Sequence, residues 1–199
     1  MRVLHEGRYS EIHDRNVKVI HDQTENSFRL RAYFLCMLAA QAQRAEGDFV
    51  EIGISYGVAN HIIYDFINFP ELGKVCHYVD PFVGDDGYGS LKSNYNTDIE
   101  KVKAQYPKDA PIRFHEGFIP AVLPLPGVEK ISFAYLNTGA YEAEAKSIPW
   151  LYEKMSHGAI MVVDNYAVFS GHQEIYDAVL KEIGAEIFTM PTGQGVIFK

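Results

Sequence analysis

The sequence predicts an α/β fold: a doubly wound, mostly parallel, seven-stranded sheet that closes with a C-terminal antiparallel hairpin. Three features point to it. Short apolar runs suited to buried strands alternate with segments of helical periodicity along most of the chain, as in successive βαβ units. The first strand runs directly into a glycine turn, Gly53 to Gly57, and a helix follows at once. The last two strand-like runs are separated only by Pro191-Thr-Gly193, with no room for a crossover helix, so they must pair antiparallel.

The elements follow in order. Residues 1–23 are polar, carry His5, His13 and His21, and read as an N-terminal arm, irregular or a short helix. With Tyr9 they suit either a lid over a bound substrate or a frayed terminus. Residues 24–199 form the domain proper. Phe28, Ala32, Leu35, Ala39 and Ala42 recur at helical spacing, and Leu30, Phe34 and Leu38 form a second stripe, which predicts a largely buried helix. Gly47-Asp48 turns the chain into the first strand, Phe49–Ile52, and Val58, Ile62, Ile63, Phe66 and Ile67 mark the helix after the glycine turn. Lys74–Asp80 is the second strand. A glycine- and aspartate-rich loop, Val83–Ser90, follows, and Tyr95, Ile99, Val102 and Tyr106 mark the next helix. Pro111–His115 and Ile131–Leu136 are the third and fourth strands. Residues 142–156 are helical, with Pro149 opening or kinking that helix. Ala159–Val163 is the fifth strand, Ile175, Val179 and Ile183 give the last helix, and Glu186–Thr189 and Gly195–Phe198 form the hairpin.

Composition sets outer bounds. A chain of 199 residues suits one domain, and 47% hydrophobic with 22% charged residues is an ordinary globular mix. Lysine and arginine total 18 against 26 acidic residues, a formal charge of −8, which argues against a nucleic-acid partner. No apolar run is long enough to span a membrane and the N-terminus lacks an apolar signal core, so the cytoplasm is the expected compartment. Cys36 and Cys76, the only cysteines, lie in apolar stretches and read as buried free thiols.

Ligands of parallel sheets bind beyond the carboxyl ends of the strands. The first strand ends at Glu51-Ile-Gly53, and Ser55 and Tyr56 lie between the two glycines of the turn. Glycine allows close backbone approach and positive φ, although the same spacing also serves a plain strand-to-helix turn. Asp80 ends the second strand before Pro81, where an acidic residue accepts hydrogen bonds from ribose hydroxyls; a turn-forming aspartate is the competing reading. A dinucleotide site wants G-x-G-x-x-G and must hold a pyrophosphate. This turn lacks that spacing, and Glu51 beside it would repel an anion. S-adenosylmethionine has no phosphate and carries sulfonium and ammonium charges, so a carboxylate beside the turn favours it. No G-x-x-x-x-G-K-[ST] is present to support a P-loop.

The chain resembles the macrocin-type O-methyltransferases, class I methyltransferases that act on sugar hydroxyls of natural products. The resemblance runs from about Thr24 to Lys199. It rests on Gly47-Asp-Phe-Val-Glu-Ile-Gly53, Val79-Asp-Pro-Phe82, Glu116-Gly-Phe-Ile-Pro120 with Leu123-Pro124, Leu136-Asn-Thr-Gly-Ala-Tyr-Glu142, Gly158 to Tyr166, and Pro191-Thr-Gly-Gln-Gly-Val196. It implies that Glu51, Gly53 and Gly57, with Ser55 and Tyr56, hold the methionine end of S-adenosylmethionine. It further implies that Asp80 and Pro81 lie at the ribose, that Glu116, Gly117 and Phe118 lie along the adenine, and that Asn137 borders the cofactor.

The family carries D-x-D before the tyrosine that here is Tyr141, and D-D-Y where this chain has Asp164-Asn-Tyr166; those aspartates ligate magnesium, and one is the proposed base. Here Asn137 and Gly139 replace the first pair and Asn165 the second aspartate of the other. Magnesium prefers carboxylate ligands, so a divalent metal is doubtful, with Asn137, Asp164 and Asn165 its only ligands if it binds. His172, opening the helix after the fifth strand, is the leading candidate base, with Asp164 second. His115, His157 and His61 read as packed, turn and surface histidines.

Three functional readings follow. The first is methyl transfer to a hydroxyl of a sugar or other small polar metabolite without a strong magnesium requirement. The second is transfer to nitrogen or carbon, and the third is a cofactor-binding partner protein that has lost catalysis. The partner is a small-molecule acceptor in the first two, and a homodimer is compatible with the fold.

Overall fold

The computed structural model describes residues 7–17, 26–82, 98–168 and 171–199. The loop Val83–Ser90, Tyr95, His5 and His21 lie outside the described residues. Seven strands form one sheet: β1 (Asp48–Ile52), β2 (Cys76–Asp80), β3 (Ile112–Glu116), β4 (Ile131–Leu136), β5 (Met155–Val163), β6 (Ile187–Thr189) and β7 (Gly195–Phe198). Their order is β3-β2-β1-β4-β5-β7-β6. The first five are parallel, and β7 runs antiparallel to both β5 and β6, as the short hairpin requires. The order reverses between β1 and β4, the switch point at which such sheets open a crevice.

Helices cover both faces. One face carries α1 (Arg8–Val17), α2 (Asn26–Ala42), α3 (Val58–Phe66) and α4 (Ile99–Lys103). The other carries α5 (Tyr141–Lys154) and α6 (His172–Ile183). Alternation along each strand sorts the core. Phe49, Tyr78, Phe133, Tyr135 and Val162 face the first layer, whereas Val50, Val79, Ala134, Leu136 and Val163 face the second. The stripe Ala32, Leu35, Cys36, Ala39 and Ala42 buries α2, and the flanking Leu30, Tyr33 and Leu38 are partly buried against the same core. Both cysteines are buried free thiols.

The N-terminal segment contains α1, whose Tyr9, Ile12 and Val17 join the core of α2 and α3. Its Tyr9 hydroxyl donates to the Arg29 carbonyl at 2.5 Å, and Asn16 donates to Asp65 of α3 at 3.0 Å. His13 is fully buried in this contact.

Three boundaries differ from the sequence reading, each for a local reason. Of the helix expected over Tyr95–Tyr106, the described residues hold α4, which starts after Asp98, whose carboxylate accepts from the Glu100 amide and caps it, and which ends at Lys103. Of the two readings of Pro149, opening the helix is ruled out: it sits inside α5 on the exposed side, where water can satisfy the carbonyl deprived of its donor. Strand β5 begins four residues early, at Met155. A register shift lets Met155 pair with Ile131 before the regular ladder starts at Ile160, so His157 lies in the strand and not in a turn.

Candidate active site

The ladder continues past the strands and lines up their carboxyl ends. The Gly53 amide donates to Val79, the Asn137 amide to Ile52, the Asp164 amide to Leu136 and the Gly117 amide to Asp80, at 2.9 to 3.1 Å. Gly117, Asp80, Gly53, Asn137 and Asp164 therefore form one edge, with the switch point at Gly53 and Asn137.

Gly53 has φ +86°, and a Cβ there would lie 2.2 Å from the Asn137 carbonyl oxygen, so only glycine lets β1 and β4 end this close together. Ser55 follows in the left-handed region at φ +51°, and Gly57, at φ +78°, is the residue before α3. This strained turn is held by Asp80. One carboxylate oxygen accepts from the Ile54 and Ser55 amides at 2.8 and 3.0 Å, and the other accepts from Phe82 at 2.8 Å. A carboxylate has about four acceptor positions, so capacity remains for a ligand hydroxyl. Pro81 is half-buried next to it. Tyr56 and Phe118 are the exposed aromatics at this edge, and the Glu116 side chain, at the end of β3, is also exposed.

Glu51 lies elsewhere. It is 1% exposed, packed under the turn against α3 and β2, where Asn60 and the Cys76 thiol donate to it. Burial, partly offset by those two bonds, raises its carboxyl from 4.5 to about 7. The carboxylate is thus set beneath the edge, and the charge it presents to a ligand is weaker than its sequence position suggests.

Beside Asn137 and Asp164 opens a cavity of about 250 Å³, lined by Phe28, Arg31, Ala32, Leu35, Tyr135, Asn137, Asp164 and Asn165. Arg31 reaches into it from α2. Its Nη2 donates to the Asp164 carboxylate, to the Asp164 carbonyl at 3.3 Å and to the Asn165 amide oxygen at 2.9 Å. Gln194, in the turn between β6 and β7, donates to the other Asp164 oxygen at 3.0 Å, and Asn165 approaches the Asn137 amide oxygen at 3.5 Å. Glu144 of α5 fixes the loop after β4. It accepts from the Thr138 amide and hydroxyl at 2.6 and 2.7 Å and the Gly139 amide at 3.1 Å, and from the Tyr176 hydroxyl of α6 at 2.5 Å.

His172 does not line this cavity. Its ring stacks on Tyr141 with centroids 3.5 Å apart, joining the first residues of α5 and α6 on the other face of the sheet. His115 stacks on the fully buried His77, and burial holds both imidazoles below their ordinary value. His61 stacks on Tyr106 and so is packed, not a plain surface residue.

The sequence reading missed Arg31, Gln194 and Glu144. Gln194 fell within a quoted motif, but nothing local to Arg31 announced a partner more than 130 residues away.

A mostly parallel sheet of order 3-2-1-4-5-7-6 with a C-terminal antiparallel pair, a glycine turn at the switch point and an acidic residue ending β2 defines a class I S-adenosylmethionine-dependent methyltransferase. Residues 25–190 match the model of the macrocin O-methyltransferase (TylF) family, and the chain belongs to that family. No curated protein matches the sequence significantly. Among solved structures the chain is similar to the O-methyltransferase NovP at 19% identity, over 85% of this chain and 79% of that one, with a TM-score of 0.72. It is also similar to the calicheamicin methyltransferase CalS11 at 13% identity, over 98% and 94%, with a TM-score of 0.59. A third likeness is to the methyltransferase PaMTH1 of Podospora anserina, determined with S-adenosylhomocysteine bound, at 14% identity over 96% and 87%, with a TM-score of 0.62. At these identities the likenesses carry the fold.

S-adenosylmethionine fits the edge, which offers close-approach glycines, spare acceptor capacity on Asp80 and exposed aromatic surface at Tyr56 and Phe118. Magnesium does not fit the positions that hold it in the family. Gly139 offers no side-chain ligand, both Asp164 oxygens are engaged, and a guanidinium stands among the remaining oxygens. Among the described residues no three of His, Cys, Asp and Glu are arranged to hold a metal ion.

Proposed function

We propose that the protein transfers the methyl group of S-adenosylmethionine to a hydroxyl of a sugar or a similar small polar metabolite. The observation that carries this reading is the cavity at the ends of β4 and β5, adjoining the glycine turn and lined by both polar and apolar groups. At about 250 Å³ it falls below the ~300–1,000 Å³ of drug-sized pockets and suits a single polar ring. The likeness to CalS11, described as a TDP-rhamnose 3'-O-methyltransferase, supports the same acceptor class.

When bound, the cofactor supplies a methyl carbon activated by its sulfonium for in-line displacement. The chain's task is to align an oxygen with that carbon as its proton leaves. In this reading Gly53, Ser55, Tyr56 and Gly57 bind the methionine end, with Glu51 supporting the turn from beneath. Asp80, beside Pro81, accepts from the ribose, Glu116, Gly117 and Phe118 lie along the adenine, and Asn137 separates cofactor from acceptor. Asp164 is committed to Arg31 and Gln194, and His172, stacked on Tyr141 outside the cavity, is not placed to take the proton of an acceptor bound there, which passes to solvent water instead. The cytoplasm suits two free thiols and a chain whose described helices include none long and apolar enough to cross a membrane. The excess of acidic residues disfavours a nucleic-acid partner, and a homodimer is compatible with the fold.

The test is transfer of isotope-labelled methyl from S-adenosylmethionine to a panel of sugar nucleotides and glycosides. The expected product carries the label on oxygen. His172→Ala should leave turnover and S-adenosylhomocysteine affinity within roughly twofold, whereas a loss of about 100-fold in turnover alone would identify it as the base after all. Label on nitrogen or carbon would contradict the acceptor class.

A further inference from the structure

We infer that the Arg31 guanidinium occupies the place of the family's metal ion and serves as a built-in cation that binds the acceptor oxygen. The inference rests on the methyltransferase reading of the site. Three oxygens from Asp164 and Asn165, one from a carboxylate, one from a carbonyl and one from an amide, converge on a single nitrogen, Nη2. These are the hard oxygen donors a divalent cation would collect, and they come from the D-D-Y position itself. Gln194 holds the far oxygen of Asp164, so the carboxylate is fixed facing Arg31. A second cation at this point would meet the guanidinium and find no uncommitted carboxylate oxygen.

The charges fit an uncharged ligand. Asp164 is 5% exposed and balances the guanidinium, and Asn137 and Asn165 add none where the family carries aspartates. A guanidinium has five N–H donors; those on Nη1 and Nε make no hydrogen bond among the described residues, and Arg31 lines the cavity with its side chain 25% exposed. They are placed to donate to a hydroxyl; as its oxygen takes the methyl group from the sulfonium, which leaves as neutral S-adenosylhomocysteine, the proton passes to solvent water and the fixed positive charge stabilises the developing alkoxide. The ligand class is a neutral polyhydroxyl acceptor.

The experiment follows free Mn²⁺ by electron paramagnetic resonance while the protein is titrated in the presence of S-adenosylhomocysteine, whose binding is measured separately by calorimetry. The comparison is Arg31→Ala combined with Asn165→Asp, which removes the resident cation and restores the acidic pair. The parent is expected to leave Mn²⁺ free to millimolar concentration, and the double variant to bind it at least roughly tenfold more tightly. Micromolar binding by the parent, abolished by Asp164→Asn, would overturn the inference. So would a double variant that binds S-adenosylhomocysteine but Mn²⁺ no more tightly than the parent. If the double variant does not fold, the parent titration decides by itself. A parent that fails to bind S-adenosylhomocysteine would overturn the methyltransferase reading instead, independently of the Mn²⁺ result.

Discussion

Asp80 joins two roles that the sequence offered as alternatives. It is a turn-forming residue, since three backbone amides donate to it, and it keeps acceptor capacity at the edge where a ribose would lie. Asp80→Ala should therefore weaken S-adenosylhomocysteine binding more than tenfold, about 1.4 kcal/mol, with a far-UV spectrum like the parent's. Unchanged affinity in calorimetry would remove it from the cofactor site. Glu51 makes a different prediction. In the unfolded chain its carboxyl ionises near 4.5, whereas burial holds the proton on to about pH 7 in the folded protein. Its contribution to stability is complete below the lower value, falls as pH rises through the interval, and changes no further above the upper one. Glu51→Gln stays neutral throughout and should gain on the parent across that interval by on the order of 3 kcal/mol, read from urea unfolding on either side of it. Parallel pH profiles would mean that Glu51 is not buried as described. The glycines and Asp80 were legible in the sequence because their roles are local to one strand end. Arg31 was not, because an arginine on a helix looks the same whether it faces water or a carboxylate on a distant strand.

The turn between β1 and α3 depends on the closeness of β1 and β4. Gly53→Ala would drive a Cβ to 2.2 Å from a backbone oxygen that cannot rotate away, at a residue already in the left-handed region. It should cost about 3 kcal/mol or more in unfolding free energy. Gly184→Ala, after α6, has a similar positive φ but nothing within 4 Å among the described residues, so it should cost only about 1 kcal/mol. Comparable losses in denaturant titrations of the two variants would contradict the close approach at the switch point. All seven strands were legible because the sequence changes abruptly from helical to strand-like patterning at each boundary. What escaped the reading was the start of β5, where the polar Ser156-His157-Gly158 interrupts the apolar pattern yet stays in the sheet through a register shift. The short α4 escaped it too, its start fixed by the cap at Asp98.

For the molecule as a whole, alternation of strands and helices predicted the layers, but the order of the strands came from the structure. That order puts the switch point between β1 and β4 and so brings the glycine turn beside Asn137 and the Arg31 cavity. In the proposed reading binding and chemistry share one edge, with the cofactor over β1 to β3, the acceptor over β4 and β5, and Arg31 in the place of a metal. The most direct test is a calorimetric titration with S-adenosylhomocysteine, once with magnesium and once with EDTA. Saturable binding at one site per chain, equal in both, is the expected result. Absence of binding in both would contradict the cofactor site, and binding that requires magnesium would contradict its independence of a metal.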